Sequence, residues 1–162
     1  MRVGVGFGTL VTVLSGLAFT PVLAKDMQGI ILYEAKASFD EARQDLEDSI
    51  VNRGYVIDYN AKIGAMLQRT GSDVGASRQI YSDAETMQFC SAVLSRKAME
   101  ADPNNIAYCP YALFVYAQAD APGKSLVGFR RLSETGSENS KAAIREINAV
   151  LDTIAREAAG TE

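Results

Sequence analysis

The chain has 162 residues, of which 48% are hydrophobic and 22% are charged, so it can build one packed domain and is not a disordered tail. Its formal net charge of −4 argues against a general nucleic-acid binder, because neutralising phosphates requires clustered Lys and Arg. The sequence contains no histidine, which excludes Ser-His-Asp and Cys-His catalysis and removes the usual haem and zinc ligand.

The N-terminus has the pattern of a secretory signal peptide. Arg2 precedes an apolar run over Val3–Phe19, and small residues stand at the −3 and −1 positions before Lys25. We therefore predict a signal peptide over residues 1–24 and a periplasmic or secreted protein without a membrane span after cleavage. The alternative is an uncleaved membrane anchor, but the run is short for a spanning helix.

A strand followed by a capped helix opens the mature chain. Gly29–Lys36 alternates as a strand does, and Ser38 with Glu41 three residues later forms a capping-box pattern. The helix is predicted to continue through Asn52, with Gly54 ending it in a left-handed conformation. Its apolar stripe consists of Phe39, Ala42, Leu46 and Ile50.

A second strand and a short helix follow. Tyr55–Tyr59 is the strand, and Asn60 is predicted to cap a helix over Ala61–Thr70. The residues expected to face inward from that helix are Ile63, Met66 and Leu67. Gly71–Ser77 is a loop, and the pattern of Arg78–Ala84 favours no element.

The two cysteines bracket the next helix. Glu85–Phe89 is a strand that leads into Cys90, and a helix over Ala92–Glu100 has its apolar side at Val93, Leu94 and Ala98. The Asp-Pro-Asn-Asn turn that follows is a strong helix stop. Ile106–Ala117 is then predicted as a strand that is apolar on both faces and therefore central, with Cys109, Tyr111, Leu113 and Val115 on one face and Tyr108, Pro110, Ala112, Phe114 and Tyr116 on the other.

The last third of the chain is predicted to be a hairpin strand, a linker and a helix. Ser125–Leu132 returns beside the central strand after a Pro-Gly turn. Residues 133–140 are polar and are expected to be a linker, and an amphipathic helix is expected within 141–162 as an extension beyond the domain. The domain itself would then occupy residues 25–132.

The order of these segments resembles the domain of unknown function 302 family over roughly Ile30 to Leu132. The resemblance implies a small two-layer α+β sandwich, with a mixed or antiparallel sheet and helices packed on one face, and the family name carries no mechanism. The matching pieces are Phe39–Tyr59 with Arg53-Gly54-Tyr55, then Phe89-Cys90, Ala101-Asp102-Pro103, and Cys109-Pro110 through Val115-Tyr116.

Cys90 and Cys109 are the only cysteines, and an even count in an exported chain favours a disulfide. Closing a loop of about 20 residues would stabilise the fold by roughly 3 kcal/mol. Three alternatives stay open: a labile redox pair, a two-thiolate Cu(I) site and two unlinked buried thiols.

Candidate binding residues lie on the sheet. Tyr108, Tyr111 and Tyr116 could line an aromatic pocket, although tyrosines at the edge of a core look the same in sequence. Arg130, in the Arg130-Arg131 pair, could hold a carboxylate or phosphate, or could be a solvated strand end.

No catalytic residues, metal ligands or cofactor stand out, so the sequence favours a non-enzymatic module that binds a small ligand or a periplasmic protein. The alternative function is thiol redox chemistry or copper handling at Cys90 and Cys109.

Overall fold

The computed structural model describes residues 25–26, 29–121 and 123–161. The predicted signal peptide, residues 1–24, lies outside these described residues. Two short 3₁₀ turns, Ser72–Val74 and Pro103–Tyr108, accompany the main elements. In chain order, the strands and helices are β1 (Lys25–Asp26), β2 (Ile30–Glu34), α1 (Phe39–Val51), β3 (Ile57–Ala61), α2 (Ile63–Thr70), β4 (Tyr81–Phe89), α3 (Ala92–Ala101), β5 (Tyr111–Gln118), β6 (Ser125–Arg130) and α4 (Glu138–Ala158).

The strands form one sheet in the order β1-β2-β6-β5-β4-β3, and every neighbouring pair is antiparallel. β5 therefore has a partner on each side, which confirms its prediction as a central strand. β6 pairs with it from Leu113↔Phe129 to Ala117↔Ser125, as the predicted hairpin requires.

One face of the sheet is covered by α1, α3 and α4, and the core lies between these layers. Leu113 and Val115 point from β5 into it, and Leu46 and Ile50 meet them from α1. Each of these side chains is 0% exposed, and burying one contributes roughly 1.5–3 kcal/mol. The two-layer α+β class with an antiparallel sheet is thus confirmed.

The C-terminal helix α4 belongs to this domain and is not the extension that the sequence predicted. It begins at Glu138 with Ser137 as its N-cap, inside the segment expected to be a linker. The Asn148 amide also binds the Leu132 backbone, accepting from its N–H at 2.8 Å and donating to its carbonyl at 2.9 Å. Periodicity identified the apolar face of α4 but could not show that the common core covers it. The core side chains of α4 include Ile144, Ile147, Leu151 and Ile154.

Helix α1 begins and ends as its sequence predicts. The Glu41 N–H donates to the Ser38 hydroxyl at 3.4 Å, and the Ser38 N–H donates to the Glu41 carboxylate at 3.0 Å, so both halves of the capping box are present. Gly54 has a φ of +79°, a left-handed conformation that side chains with a Cβ rarely adopt. Of the predicted stripe, Ala42, Leu46 and Ile50 are buried and Phe39 is half-buried.

The region around α2 differs from its prediction. β3 starts at Ile57, two residues late, and Asn60 lies within it and caps no helix, because its amide donates to Glu85 at 2.9 Å. Helix α2 packs on the opposite face of the sheet from the other helices. It does so through Gly64, where an added Cβ would lie 2.7 Å from the Ala84 backbone nitrogen. Met66 and Leu67 remain 38% and 36% exposed, contrary to the inward orientation expected.

The turn predicted after α3 is present but extends further than expected, because residues 106–108, predicted to start a strand, belong to the 3₁₀ turn Pro103–Tyr108. Asp102 accepts a hydrogen bond from the Asn104 N–H at 2.9 Å, and buried Asn105 donates to the Ala98 carbonyl at 2.8 Å. These local bonds hold Pro103–Tyr108 in the turn, and β5 begins only at Tyr111. Within α3, Leu94 and Ala98 are buried as predicted, whereas Val93 is 77% exposed.

Replacing Ser38 by Ala removes the hydroxyl of the capping box. We expect this change to lower the free energy of unfolding by about 1 kcal/mol, because one N–H at the start of α1 loses its partner. Urea denaturation measures the difference. Ser77→Ala, in an exposed loop, is the matched control and should change stability by less than about 0.5 kcal/mol. Equal stability of the two variants would contradict the capping role.

Candidate functional site

The structure joins Cys90 and Cys109 in a disulfide with a Cα–Cα distance of 6.1 Å. Phe89, the last residue of β4, pairs with Tyr111, the first residue of β5. Cys90 directly follows Phe89, and Cys109 lies two residues before Tyr111. The adjacent strands therefore bring the sulfurs together, and the linkage closes a loop that contains α3 and the 3₁₀ turn.

The disulfide is half-buried and has a polar neighbour. The Ser95 hydroxyl lies 3.7 Å from the Cys109 sulfur and 2.9 Å from the Tyr111 hydroxyl. Burial raises the pKa of Tyr111, so its hydroxyl stays protonated. Exposed apolar side chains stand three residues from each cysteine: Val93 is 77% and Ile106 is 64% exposed.

Removing the disulfide should destabilise the fold. For a sequence separation of 19, we expect Cys90→Ser/Cys109→Ser to lose about 3 kcal/mol, because the unfolded chain regains the entropy of the open loop. Urea denaturation with and without reductant measures this loss. Reductant should destabilise the wild type by a similar amount and leave the double variant unchanged. A wild type that reductant leaves equally stable would contradict a stabilising role.

The face of the sheet opposite α1, α3 and α4 carries an apolar groove. Side chains that alternate with the core residues lie here, and α2 borders them through Ile63. The cavity has a volume of about 350 Å³. We call it the open-face groove; it is lined by Ile30, Leu32, Ile63, Tyr81, Ala84, Glu85, Thr86, Phe114, Val115 and Tyr116.

Gly128 lies next to Leu32 and Phe114, two of the residues that line the open-face groove. A Cβ at this position would lie 2.3 Å from the Ile31 carbonyl oxygen and 3.0 Å from the Phe114 ring. Since the backbone at Ile31 cannot move away without breaking the β2–β6 ladder, only glycine fits here. Its absent side chain lets the Phe114 ring lie close over β6.

One end of the open-face groove carries two tyrosines. The rings of Tyr81 and Tyr116 meet edge to face, with centroids 5.4 Å apart. Burial, and to a lesser extent proximity to Tyr81, raises the pKa of Tyr116. Its hydroxyl is therefore neutral at ordinary pH and can both donate and accept a hydrogen bond.

The four predicted binding residues do not come together. Tyr116 lines the open-face groove, but Tyr111 is buried on the opposite face of β5 beside Ser95. Tyr108 lies in the 3₁₀ turn and donates to the Ser133 carbonyl at 3.1 Å, and Arg130 is exposed at the end of β6. Strand alternation puts Tyr111 and Tyr116 on opposite faces because their positions differ by five, an odd number.

The other walls of the open-face groove are not predicted by the sequence. Its one signal is that strand alternation places Phe114 on the same face of the central strand as Tyr116. Leu32, Tyr81 and Ile63 come from three other elements, and only their pairing brings them to that face.

A second, charged groove lies on the helix side of the sheet, between α4 and strands β2 and β6. Its volume is about 640 Å³. Asp152 accepts hydrogen bonds from the Tyr33 hydroxyl and from Arg156 Nε, the latter at 2.8 Å. Burial and the neighbouring Asp152 carboxylate raise the pKa of Tyr33 to about 12. We call it the α4 groove; it is lined by Ile31, Tyr33, Phe129, Arg131, Glu134, Arg145, Asn148, Ala149, Asp152 and Arg156.

Among residues 25–26, 29–121 and 123–161, no helix is both long enough and apolar enough to span a bilayer. Within the same ranges, no three His, Cys, Asp or Glu side chains cluster as metal ligands would.

Two comparisons with known proteins identify relatives of this chain. The family described as "Domain of unknown function DUF302" matches residues 31–158, a range that includes α4. The crystal structure of an uncharacterized conserved DUF302 protein from Bacillus stearothermophilus has the same fold, with a TM-score of 0.67 at 13% sequence identity. The match covers 82% of this chain and 99% of that one. No protein in the curated set matched.

Proposed function

The chain belongs to the DUF302 family, and we propose that it is a non-enzymatic module that binds a small, largely apolar ligand in the open-face groove. The observation that carries this proposal is an apolar groove of about 350 Å³ on the face of the sheet that α1, α3 and α4 leave uncovered. The signal-peptide pattern of residues 1–24 supports a periplasmic or secreted location, where the ligand would be met.

The size and lining of the open-face groove suit a compact molecule. Its volume is at the lower end of the range of about 300–1,000 Å³ for small-molecule sites. Leu32 and Phe114 supply apolar contact, and the Tyr116 hydroxyl at one end can bind one polar atom of the ligand. We therefore expect an aromatic or alicyclic molecule with a neutral polar group. An apolar side chain of a protein partner is the alternative occupant.

Glu85, the carboxylate among the residues that line the groove, is already bound to other side chains, which supports ligand binding over catalysis. Glu85 forms an ion pair with Lys62 at 2.6 Å and accepts from the Asn60 amide at 2.9 Å. Its side chain is only 11% exposed, so these partners compensate a charge that would otherwise be costly to bury. The chain has no histidine, the most frequent general base.

The probe 2-naphthol, a neutral aromatic alcohol, tests the open-face groove. In a titration followed by NMR, we expect saturable shifts of the amides of Leu32, Thr86, Phe114 and Gly128. Phe114→Ala should weaken binding about ten-fold, because burial of a phenyl ring contributes roughly 1.5–3 kcal/mol. Thr86→Phe, which fills the cavity and keeps Phe114, should weaken it at least as much.

Val93→Ala is the matched control, since it removes an exposed apolar side chain from α3 and should leave the affinity unchanged. Saturable shifts elsewhere, or equal affinity of the wild type and Thr86→Phe, would reject a ligand site in the groove.

The surroundings of Cys109 favour a second candidate, thiol–disulfide exchange with a partner dithiol. A partner thiolate would attack Cys90, form a mixed disulfide and expel Cys109 as a thiolate, to which the Ser95 hydroxyl can donate. The second partner thiol then attacks the mixed disulfide and releases Cys90. Two electrons pass from the partner, which becomes a disulfide, to the two cysteines of this chain.

Ser95→Ala tests this role of the hydroxyl. In the reduced single-cysteine variant Cys90→Ser, we expect the change to raise the pKa of the Cys109 thiol, because the thiolate loses a hydrogen bond. The rate of alkylation by iodoacetamide as a function of pH measures that pKa. Ser91→Ala, whose hydroxyl caps α3, is the control and should shift it less.

An unchanged pKa would remove the support for exchange. Mass spectrometry of the exported protein, with and without alkylation, shows whether the thiols are linked. A pair that resists mild reductant and binds no Cu(I) would reject both the exchange function and the copper alternative, which requires free thiolates.

A further inference from the structure

The α4 groove contains a guanidinium group held in a fixed orientation. Arg156 donates from Nε to Asp152 at 2.8 Å, and its Cζ lies 4.8 Å above the centre of the Tyr33 ring. The Tyr33 hydroxyl donates to the other oxygen of Asp152, so the carboxylate that orients Arg156 is itself held in place. Tyr33 is almost fully buried, which anchors this three-residue arrangement to the sheet.

The terminal nitrogens of Arg156 are available to a ligand. Within residues 29–121 and 123–161, its hydrogen bond to a carboxylate runs through Nε, and the Tyr33 hydroxyl also interacts with the guanidinium. The edge formed by Nη1 and Nη2 is therefore left without a carboxylate partner among these residues. That edge carries parallel N–H groups that match the two oxygens of a carboxylate. Because Asp152 and Tyr33 already restrict the side chain, little conformational entropy is lost when an anion binds.

The floor of the α4 groove is apolar. Ile31 and Phe129 are cross-strand partners on the core face, and both contribute to the lining although little of either side chain is exposed. On the α4 side, Ala149 lies one turn before Asp152, and its small side chain leaves space in the groove. An oriented guanidinium therefore borders an empty space of about 640 Å³ with an apolar floor.

We propose that the α4 groove binds a small organic carboxylate, with its two oxygens on the terminal nitrogens of Arg156 and its apolar body over Ile31 and Phe129. This site lies on the opposite face of the sheet from the open-face groove and is independent of it.

Arg145 provides an internal comparison. It lines the same groove and also pairs with a carboxylate, Glu134, at 3.4 Å. It lies 11 positions before Arg156 on α4, roughly 16 Å along the helix axis, beyond the reach of a small ligand held at Arg156. No aromatic ring contact of the kind between Arg156 and Tyr33 fixes it among the described residues.

Benzoate is the test probe, with benzamide as its neutral analogue and inorganic phosphate as a simple anion, all at constant ionic strength. In NMR titrations of the full chain, we expect benzoate to shift the amides around Tyr33, Ala149 and Asp152 saturably. Benzamide should bind at least about ten-fold more weakly, since hydrogen bonds to a charged group are lost. Phosphate, which has no apolar body, should also bind at least about ten-fold more weakly.

Three variants locate the site. Arg156→Gln should weaken benzoate binding about ten-fold or more. Ala149→Phe, which fills the groove and keeps the Arg156–Asp152 pair, should weaken it similarly. Arg145→Gln should stay within about two-fold of the wild type, and Phe114→Ala, in the other groove, should do the same.

The opposite results would overturn the proposal. The proposal is wrong if benzamide or phosphate binds as tightly as benzoate. It is also wrong if Arg145→Gln weakens benzoate binding more than Arg156→Gln does. An unchanged affinity of Ala149→Phe for benzoate would also exclude binding in the α4 groove. This second variant tests the site even if Arg156→Gln does not fold.

Discussion

Burial on both faces of β5 is the constraint on which the rest of the structure depends. Because β5 lies between β4 and β6, its backbone is paired on both sides over residues 113–117, and its side chains alternate between two environments. Leu113 and Val115 meet the helices and form the centre of the core. Phe114 and Tyr116, the alternate residues, form the wall of the open-face groove. The eight residues of β5 thus contribute both to the core that stabilises the domain and to its candidate binding surface.

The segment before β5 is held by the elements around it. The disulfide ties the end of β4 to the approach to β5, and buried Asn105 binds both the Ala98 carbonyl and, at 2.9 Å, the Ser140 hydroxyl of α4. These links position α3 against α4 and keep β5 in register. They also leave the disulfide half-buried beside the Ser95 hydroxyl.

The two grooves differ in chemistry because the two faces of the sheet are covered differently. On one face, only short α2 packs against the strands, and apolar side chains are left partly open. On the other, α4 crosses β2 and β6 and brings charged residues over the edge of an apolar floor. The first environment suits a neutral apolar molecule, and the second suits an anion with an apolar body. The sheet between them allows each site to be tested separately.

The sequence by itself indicated the α+β class, the capped helix α1 and the central place of β5, and it favoured a disulfide between the two cysteines, because these depend on local periodicity, caps and residue chemistry. Only the tertiary structure decided that α4 belongs to the core and that Ile106 lies in a 3₁₀ turn. It alone brought Tyr33, Asp152 and Arg156 together, since 119 residues separate Tyr33 from Asp152 along the chain. Such sites depend on strand pairing and helix docking between distant segments, and no local pattern encodes that geometry.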